Sequence, residues 1–294
     1  MLPSPSSPES NALIVEGGGM KGAFSGGVLA CMSKYFPSNK FELVVGVSAG
    51  SCVSAFYIAD EGDLTPQKIT DIWKHELYGN RFISFFNPLT KLKTILDQNY
   101  LIDYIFKNKY KLNPHILEEK DKPNFYVVVS DLQNHIPRYI KATKENMFSL
   151  LKAATALPIA TRGKHLFENF ILGDGGNLDP IPIEAVIKAG YKNITVVLNH
   201  PLDYVTKPIG RITSRLAFYS NPGFARTLRH FHHRMFNRAK MILKNPPPNI
   251  NLNIIAPGEF MPVKTVTTNI KKLQYTVNKG WQTAYANFSK KLIL

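Results

Sequence analysis

The apolar run Leu43-Val44-Val45 leads directly into Gly46-Val47-Ser48-Ala49-Gly50 and then into a helix-forming stretch reaching about Ala59. This junction constrains the fold more than composition does. A serine on a sharp strand-to-helix turn leaves room only for small residues two places before and two after it. Gly46 and Gly50 meet that need. The pattern makes Ser48 Oγ an attacking atom, held over the positive end of the following helix dipole. Taken alone, the five residues also fit an ordinary strand-to-helix connection.

A second glycine cluster lies upstream. Ala12-Leu13-Ile14-Val15 is a short apolar run suited to a buried parallel strand, and it ends in Glu16-Gly17-Gly18-Gly19-Met20-Lys21-Gly22 before a helical stretch from about 20 to 35. Amides of consecutive glycines at a strand end can turn into one concavity that stabilises an anion. In acyl transfer that anion is the tetrahedral oxyanion. Gly17-x-Gly19-x-x-Gly22 also fits a dinucleotide fingerprint. That alternative needs an acid at the end of the second strand, whereas Glu42 stands at its start.

The third motif is Ile171-Leu172-Gly173-Asp174-Gly175-Gly176, a carboxylate on a tight turn. A serine hydroxyl needs a neighbouring base, and Asp174 on such a turn can be presented without bulk around it. Alone it also reads as a structural Asp-Gly turn. A histidine triad would require several strands before the serine. Only one apolar run precedes the serine-bearing strand here, which argues against a base among His200, His230, His232 and His233.

Together the three segments, in this order and spacing, resemble the patatin-like phospholipase family, as does the helix end Ala153-Ala154-Thr155-Ala156-Leu157-Pro158. The resemblance spans about residues 12–200. It implies an α/β fold of three layers, α/β/α, with a mostly parallel central sheet. It also implies a lipid acyl hydrolase with Ser48 as nucleophile, Asp174 as general base and an oxyanion hole within Gly17, Gly18, Gly19 and Met20. Lys21, Gly22, Gly46, Gly50, Gly175 and Gly176 are the supporting motif positions. Glu16 stands where the family often has aspartate, and Lys21 where arginine is commoner. No metal or cofactor enters this scheme. A catalytically silent lipid-binding module of the same fold is the alternative reading.

At 294 residues and 44% hydrophobic content, the chain can bury a large core. We expect a disordered leader over 1–10, a catalytic core over 11–200 and a basic extension over 201–294. Strand and helix signals alternate, as a parallel sheet demands. Further strands are expected at 124–130, 138–141, 193–198 and 251–255. Helices are expected from Asp63 to about Leu77, around Met147–Ala154, over 180–189 ending at Gly190, and from 267 to 292. The mixed segment 80–120, with Phe82, Leu92, Leu96, Leu101 and Phe106, reads as a lid, an acyl pocket or a covering helical layer. Cys31 and Cys52 fall in core helices, and reduced thiols there suit a cytosolic chain. The sequence contains neither a secretory signal pattern nor an apolar run of bilayer-spanning length.

The formal charge of +15 is unevenly placed. Residues 204–294 hold 15 Lys and Arg against one acid, Glu259. Arg211, Arg215, Arg226, Arg229, Arg234, Arg238, Lys240 and Lys244 form a run interleaved with aromatic residues. Such a surface suits peripheral contact with an anionic membrane. A solvated face and a nucleic-acid surface are the alternatives, though no nucleic-acid motif accompanies it. The cluster His230, His232 and His233 lacks a nearby carboxylate in sequence, which disfavours a metal site.

Overall fold

The computed structural model describes residues 1–90 and 94–292, so Leu92 lies outside the described residues. Its strands are β1 (Asn11–Val15), β2 (Leu43–Val47), β3 (Asn124–Asp131), β4 (Ile136–Lys141), β5 (His165–Phe167), β6 (Phe170–Asp174), β7 (Asn193–Val197) and β8 (Asn251–Ile255). All eight join one sheet. β3, β2, β1, β7 and β8 are successive parallel neighbours. β4, β5 and β6 add antiparallel pairings beside β3.

The helices are α1 (Ala23–Tyr35), α2 (Ala49–Ala59), α3 (Leu64–Asp71), α4 (Asn87–Thr90), α5 (Met147–Ala154), α6 (Ile183–Ala189), α7 (Arg211–Ala217), α8 (Pro222–Lys244) and α9 (Ile270–Leu292). Alternation along β1 explains the layers. Leu13 and Val15 pack with Phe24, Phe56, Leu150 and Val277, from α1, α2, α5 and α9. Ala12 and Ile14 face the other way, onto Ile183, Val186, Phe236 and Ala239 from α6 and α8. With both faces covered, these strands have continuous apolar sequences. The expected mixed α/β fold with a mostly parallel sheet is the one observed.

Local differences from the expected elements have physical reasons. The helix expected from about 20 begins as a tight four-residue turn over Gly19–Gly22, and α1 starts only at Ala23. The helix after Asp63 widens into a π-type turn over Ile72–Glu76, which seats Trp73 in the core. Another wide turn covers Asn99–Lys109 and buries Leu101, Ile102, Ile105 and Phe106. Residues 1–10 are coil, tied to the start of β2 through Glu42: Ser6 N and Oγ donate to it at 2.8 and 2.6 Å, and Ser10 Oγ donates too. From residue 201 onward the chain supplies β8 to the sheet and α9 to the layer over α1.

The strand order positions the site. β1 pairs with β2 on one side and β7 on the other, so chain direction across the sheet reverses at β1. In open α/β sheets a ligand crevice opens at the carboxyl ends of strands at such a reversal. Gly17–Gly19 follow β1, Ser48 follows β2, and Asn199 and His200 follow β7.

Candidate active site

Ser48 occupies the turn between β2 and α2 with φ 53° and ψ −126°, a backbone shape rarely held by a residue with a side chain. Its neighbours leave no alternative path. A Cβ at Gly46 would approach Ser51 Cα at 2.5 Å, and one at Gly50 would collide with the Val15 carbonyl. Strain at one serine is thereby maintained by packing on both sides of it.

Register brings the carboxylate to the hydroxyl. Val47 lies opposite Val128, and the next residue of β3, Val129, lies opposite Asp174. Ser48 Oγ donates to Asp174 Oδ2 at 2.6 Å, and Gly176 N donates to Oδ1 at 2.8 Å. Both side chains are withdrawn from water, with Ser48 4% and Asp174 2% exposed. Burial pushes the Asp174 carboxyl up to about 6 against the pull of these two donors. A carboxylate so raised binds a proton more readily than a solvated one.

The glycine loop curls beside this pair. Gly18 and Gly19 have φ of 138° and 58°, open to glycine and costly for other residues. Among the described residues, neither amide donates to a protein acceptor. Met20 differs from the expected role, because its amide donates to Thr265 O at 3.0 Å and its side chain is buried against an apolar cleft. The loop is pinned by groups that the sequence left unassigned. Asn199 Nδ2 donates to the carbonyls of Glu16 and Gly17 at 2.7 and 3.0 Å, while Glu16 Oε2 accepts Asn199 N at 2.5 Å. Glu16 Oε1 also lies 2.7 Å from His200 Nδ1, and His200 Nε2 lies 2.8 Å from Lys21 Nζ. Burial lowers the Lys21 pKa, with Glu16 opposing that shift. Asn199-His200 at the end of an apolar strand beside the reversal was the available signal.

Ser48 sits between two cavities that also share Gly19, Leu157 and Thr265. One is a narrow apolar cleft of about 50 Å³ walled by Cys52, Val53, Phe56, Trp73, Leu101 and Phe106. The segment 80–120 therefore contributes side chains to this cleft. The other is a polar pocket of about 240 Å³ holding Asp174, Lys21, His200, His232 and Tyr204. His232 Nδ1 lies 2.9 Å from Gly176 O, and burial lowers its pKa. Cys31 and Cys52 are buried and unpaired. Among the described residues no cluster of three His, Cys, Asp or Glu could hold a metal, and no helix is long and apolar enough to cross a membrane.

The basic run divides in space. Lys240 does not belong to any surface patch. It is 1% exposed, its Nζ donating to the carbonyls of Pro201 at 3.0 Å and His200 at 3.5 Å. Arg238 Nε lies 2.6 Å from Glu184, and Lys244 Nζ lies 2.6 Å from Asp203. Arg234 is exposed. Arg211, Arg215, Arg226 and Arg229 gather around one concavity between α7 and α8.

Comparison with known proteins gives a consistent assignment. The chain is 25% identical over 260 residues to the uncharacterized protein YjjU of Escherichia coli K12, covering 86% of this chain and 70% of that one. Its fold is similar to that of VipD from Legionella pneumophila, with a TM-score of 0.50, 17% identity, and coverage of 97% of this chain and 68% of VipD. The family model for patatin-like phospholipases matches residues 13–187, more than half of the sequence. The chain belongs to the patatin-like phospholipase family.

Proposed function

We propose that this protein is a serine acyl hydrolase of lipid esters working through a Ser48–Asp174 dyad. The observation that carries the reading is the 2.6 Å contact from Ser48 Oγ to a buried carboxylate whose pKa burial has raised to about 6. Asp174 takes the hydroxyl proton as Oγ attacks the ester carbonyl. The unpaired amides of Gly18 and Gly19 donate to the oxyanion, each such donor contributing roughly 3 kcal/mol to the transition state. Asp174 returns the proton to the departing alcohol. It then draws one from water as the water oxygen attacks the acyl carbonyl, and passes that proton to Ser48 Oγ as the acyl–Oγ bond breaks, which releases the fatty acid and restores both residues.

The two cavities suit the two halves of such a substrate. The apolar cleft fits an acyl chain, each methylene buried there adding about 0.8 kcal/mol. The polar pocket fits the alcohol side, where Lys21 offers a donor to a phosphate-bearing glycerol. The test is fatty-acid release from phospholipid and from short p-nitrophenyl esters by wild type, Ser48→Ala and Asp174→Asn. Turnover in wild type and a loss on the order of 10³ or more in both variants is expected. Wild-type inactivity on every ester, or full activity in Ser48→Ala, would overturn the proposal.

A further inference from the structure

Among the described residues, four arginines of the basic run that lack a counter-charge lie together, while a fifth, Arg234, lies outside their concavity. Arg211 and Arg215 lie one turn apart on α7, Arg226 and Arg229 on the first two turns of α8, and together they line a concavity of about 380 Å³. Among the described residues none of the four is in an ion pair, whereas nearby Arg238 and Lys244 are. Arg229 donates instead to the His230 ring at 2.8 Å. Guanidinium forks match phosphate oxygens two at a time, and the first turn of α8, with Pro222 and Ala225 in the wall, adds its positive dipole end.

A second observation indicates where the phosphate resides. Ile212, Leu216 and Tyr219 are 78%, 65% and 82% exposed. Ile212 and Leu216 each follow an arginine by one residue, so an apolar stripe runs about 100° round α7 from the basic one. A soluble phosphate compound needs no such stripe, but a bilayer interface does. The concavity and the candidate active site draw on the same helix, α8. Arg226 and Arg229 precede His232, a wall of the polar pocket, by six and three residues, about 9 and 4.5 Å along α8.

We propose that Arg211, Arg215, Arg226 and Arg229 form a phosphate-headgroup site through which the α7–α8 edge docks on an anionic bilayer, with Ile212, Leu216 and Tyr219 entering the interface. The preferred headgroup is a phosphate monoester, whose charge of about −1.5 to −2 answers four guanidiniums better than a diester does. The site goes beyond the hydrolase reading and does not require it.

The experiment is vesicle co-sedimentation of the full chain carrying Ser48→Ala, so that no lipid is hydrolysed and a negative result leaves the hydrolase proposal untouched. Vesicles contain phosphatidylcholine with phosphatidic acid or, at matched surface charge, phosphatidylserine. Phosphatidic acid is expected to bind at least tenfold tighter. Arg215→Ala with Arg226→Ala should lose tenfold or more. Lys207→Ala with Arg234→Ala removes equal charge from exposed positions outside the concavity and should lose less than threefold. Leu216→Ser should weaken binding to the same vesicles at least threefold. Equal losses in the two double variants, or no preference for phosphatidic acid, would overturn the site. Binding of inorganic phosphate as tight as that of vesicles, with no effect of Leu216→Ser, would overturn the bilayer assignment.

Discussion

Replacing Asp174 by asparagine removes the charge of the proposed base while keeping its shape. Burial holds the wild-type carboxyl at about 6, against 3.8 for a solvated aspartate. Ionising it is therefore costlier in the folded chain by about two pKa units, or about 3 kcal/mol at 1.36 kcal/mol per unit. The sign follows from the raised value. The stability held by the protonated form is fully present below about pH 3.8 and is lost as the pH rises through about 6. Asparagine is neutral at every pH, and its oxygen can still accept from Gly176 N while its amide faces Ser48 Oγ. Asp174→Asn should thus be more stable than wild type at pH 8, although it loses turnover. With about 2.1 cal/mol/K of unfolding entropy per residue, a chain of this length gains about 5 °C in Tm. Thermal melts followed by circular dichroism at pH 4 and pH 8 test this. A gap of about 5 °C at pH 8 should shrink towards zero at pH 4. A gap that is the same at both pH values, or a variant less stable at pH 8, would refute the assignment of a desolvated carboxylate.

Other consequences follow from the same geometry. Because Asp174 must be ionised to take a proton, kcat/KM for a soluble ester should rise about tenfold per pH unit below about 6 and level off above it; a flat profile from pH 4 to 8 contradicts this. His200→Ala and His232→Ala should keep that profile and lose no more than about tenfold in rate, since neither ring is bonded to Ser48; a loss near 10³ would install a histidine in the chemistry. Val53→Trp fills the apolar cleft, so long-chain esters should lose about tenfold or more in kcat/KM while acetyl esters change less than threefold. Equal losses would remove the cleft from acyl binding. Gly280→Val drives a side chain into the Phe24 carbonyl where α9 crosses α1, and should cost about 1–3 kcal/mol in denaturant unfolding.

The parts legible in the sequence were those where one residue type alone satisfies the backbone. Gly46 and Gly50 are forced by contacts closer than a Cβ permits, so the serine turn is visible as a pattern. The apolar runs of β1, β2, β3 and β7 are visible because both faces of each strand are covered. The Glu16–Asn199–His200–Lys21 network was not visible. Its two halves, Glu16 with Lys21 and Asn199 with His200, lie more than 170 positions apart and meet only because β7 pairs with β1. The acceptor of the Met20 amide, Thr265, is hidden for the same kind of reason, since it comes from the other end of the chain.

The basic third makes the argument general. A charge tally along the chain counts cations as equivalent, but pairing is decided by tertiary distance, and solvent screens exposed charges beyond about 10 Å. Glu184 and Asp203 fall outside the segment that looked almost free of acids, yet they neutralise Arg238 and Lys244 within it. Lys240 turns inward, where its Nζ donates to the carbonyls of His200 and Pro201. What stands out among the described residues is a smaller and sharper feature than a net +15 suggests: four guanidiniums without ion pairs around one concavity, with Arg234 apart from them. A field spread over the last third would bind any anionic surface alike. Four forks around one concavity should distinguish among headgroups, and that selectivity makes the site separable from bulk charge by experiment.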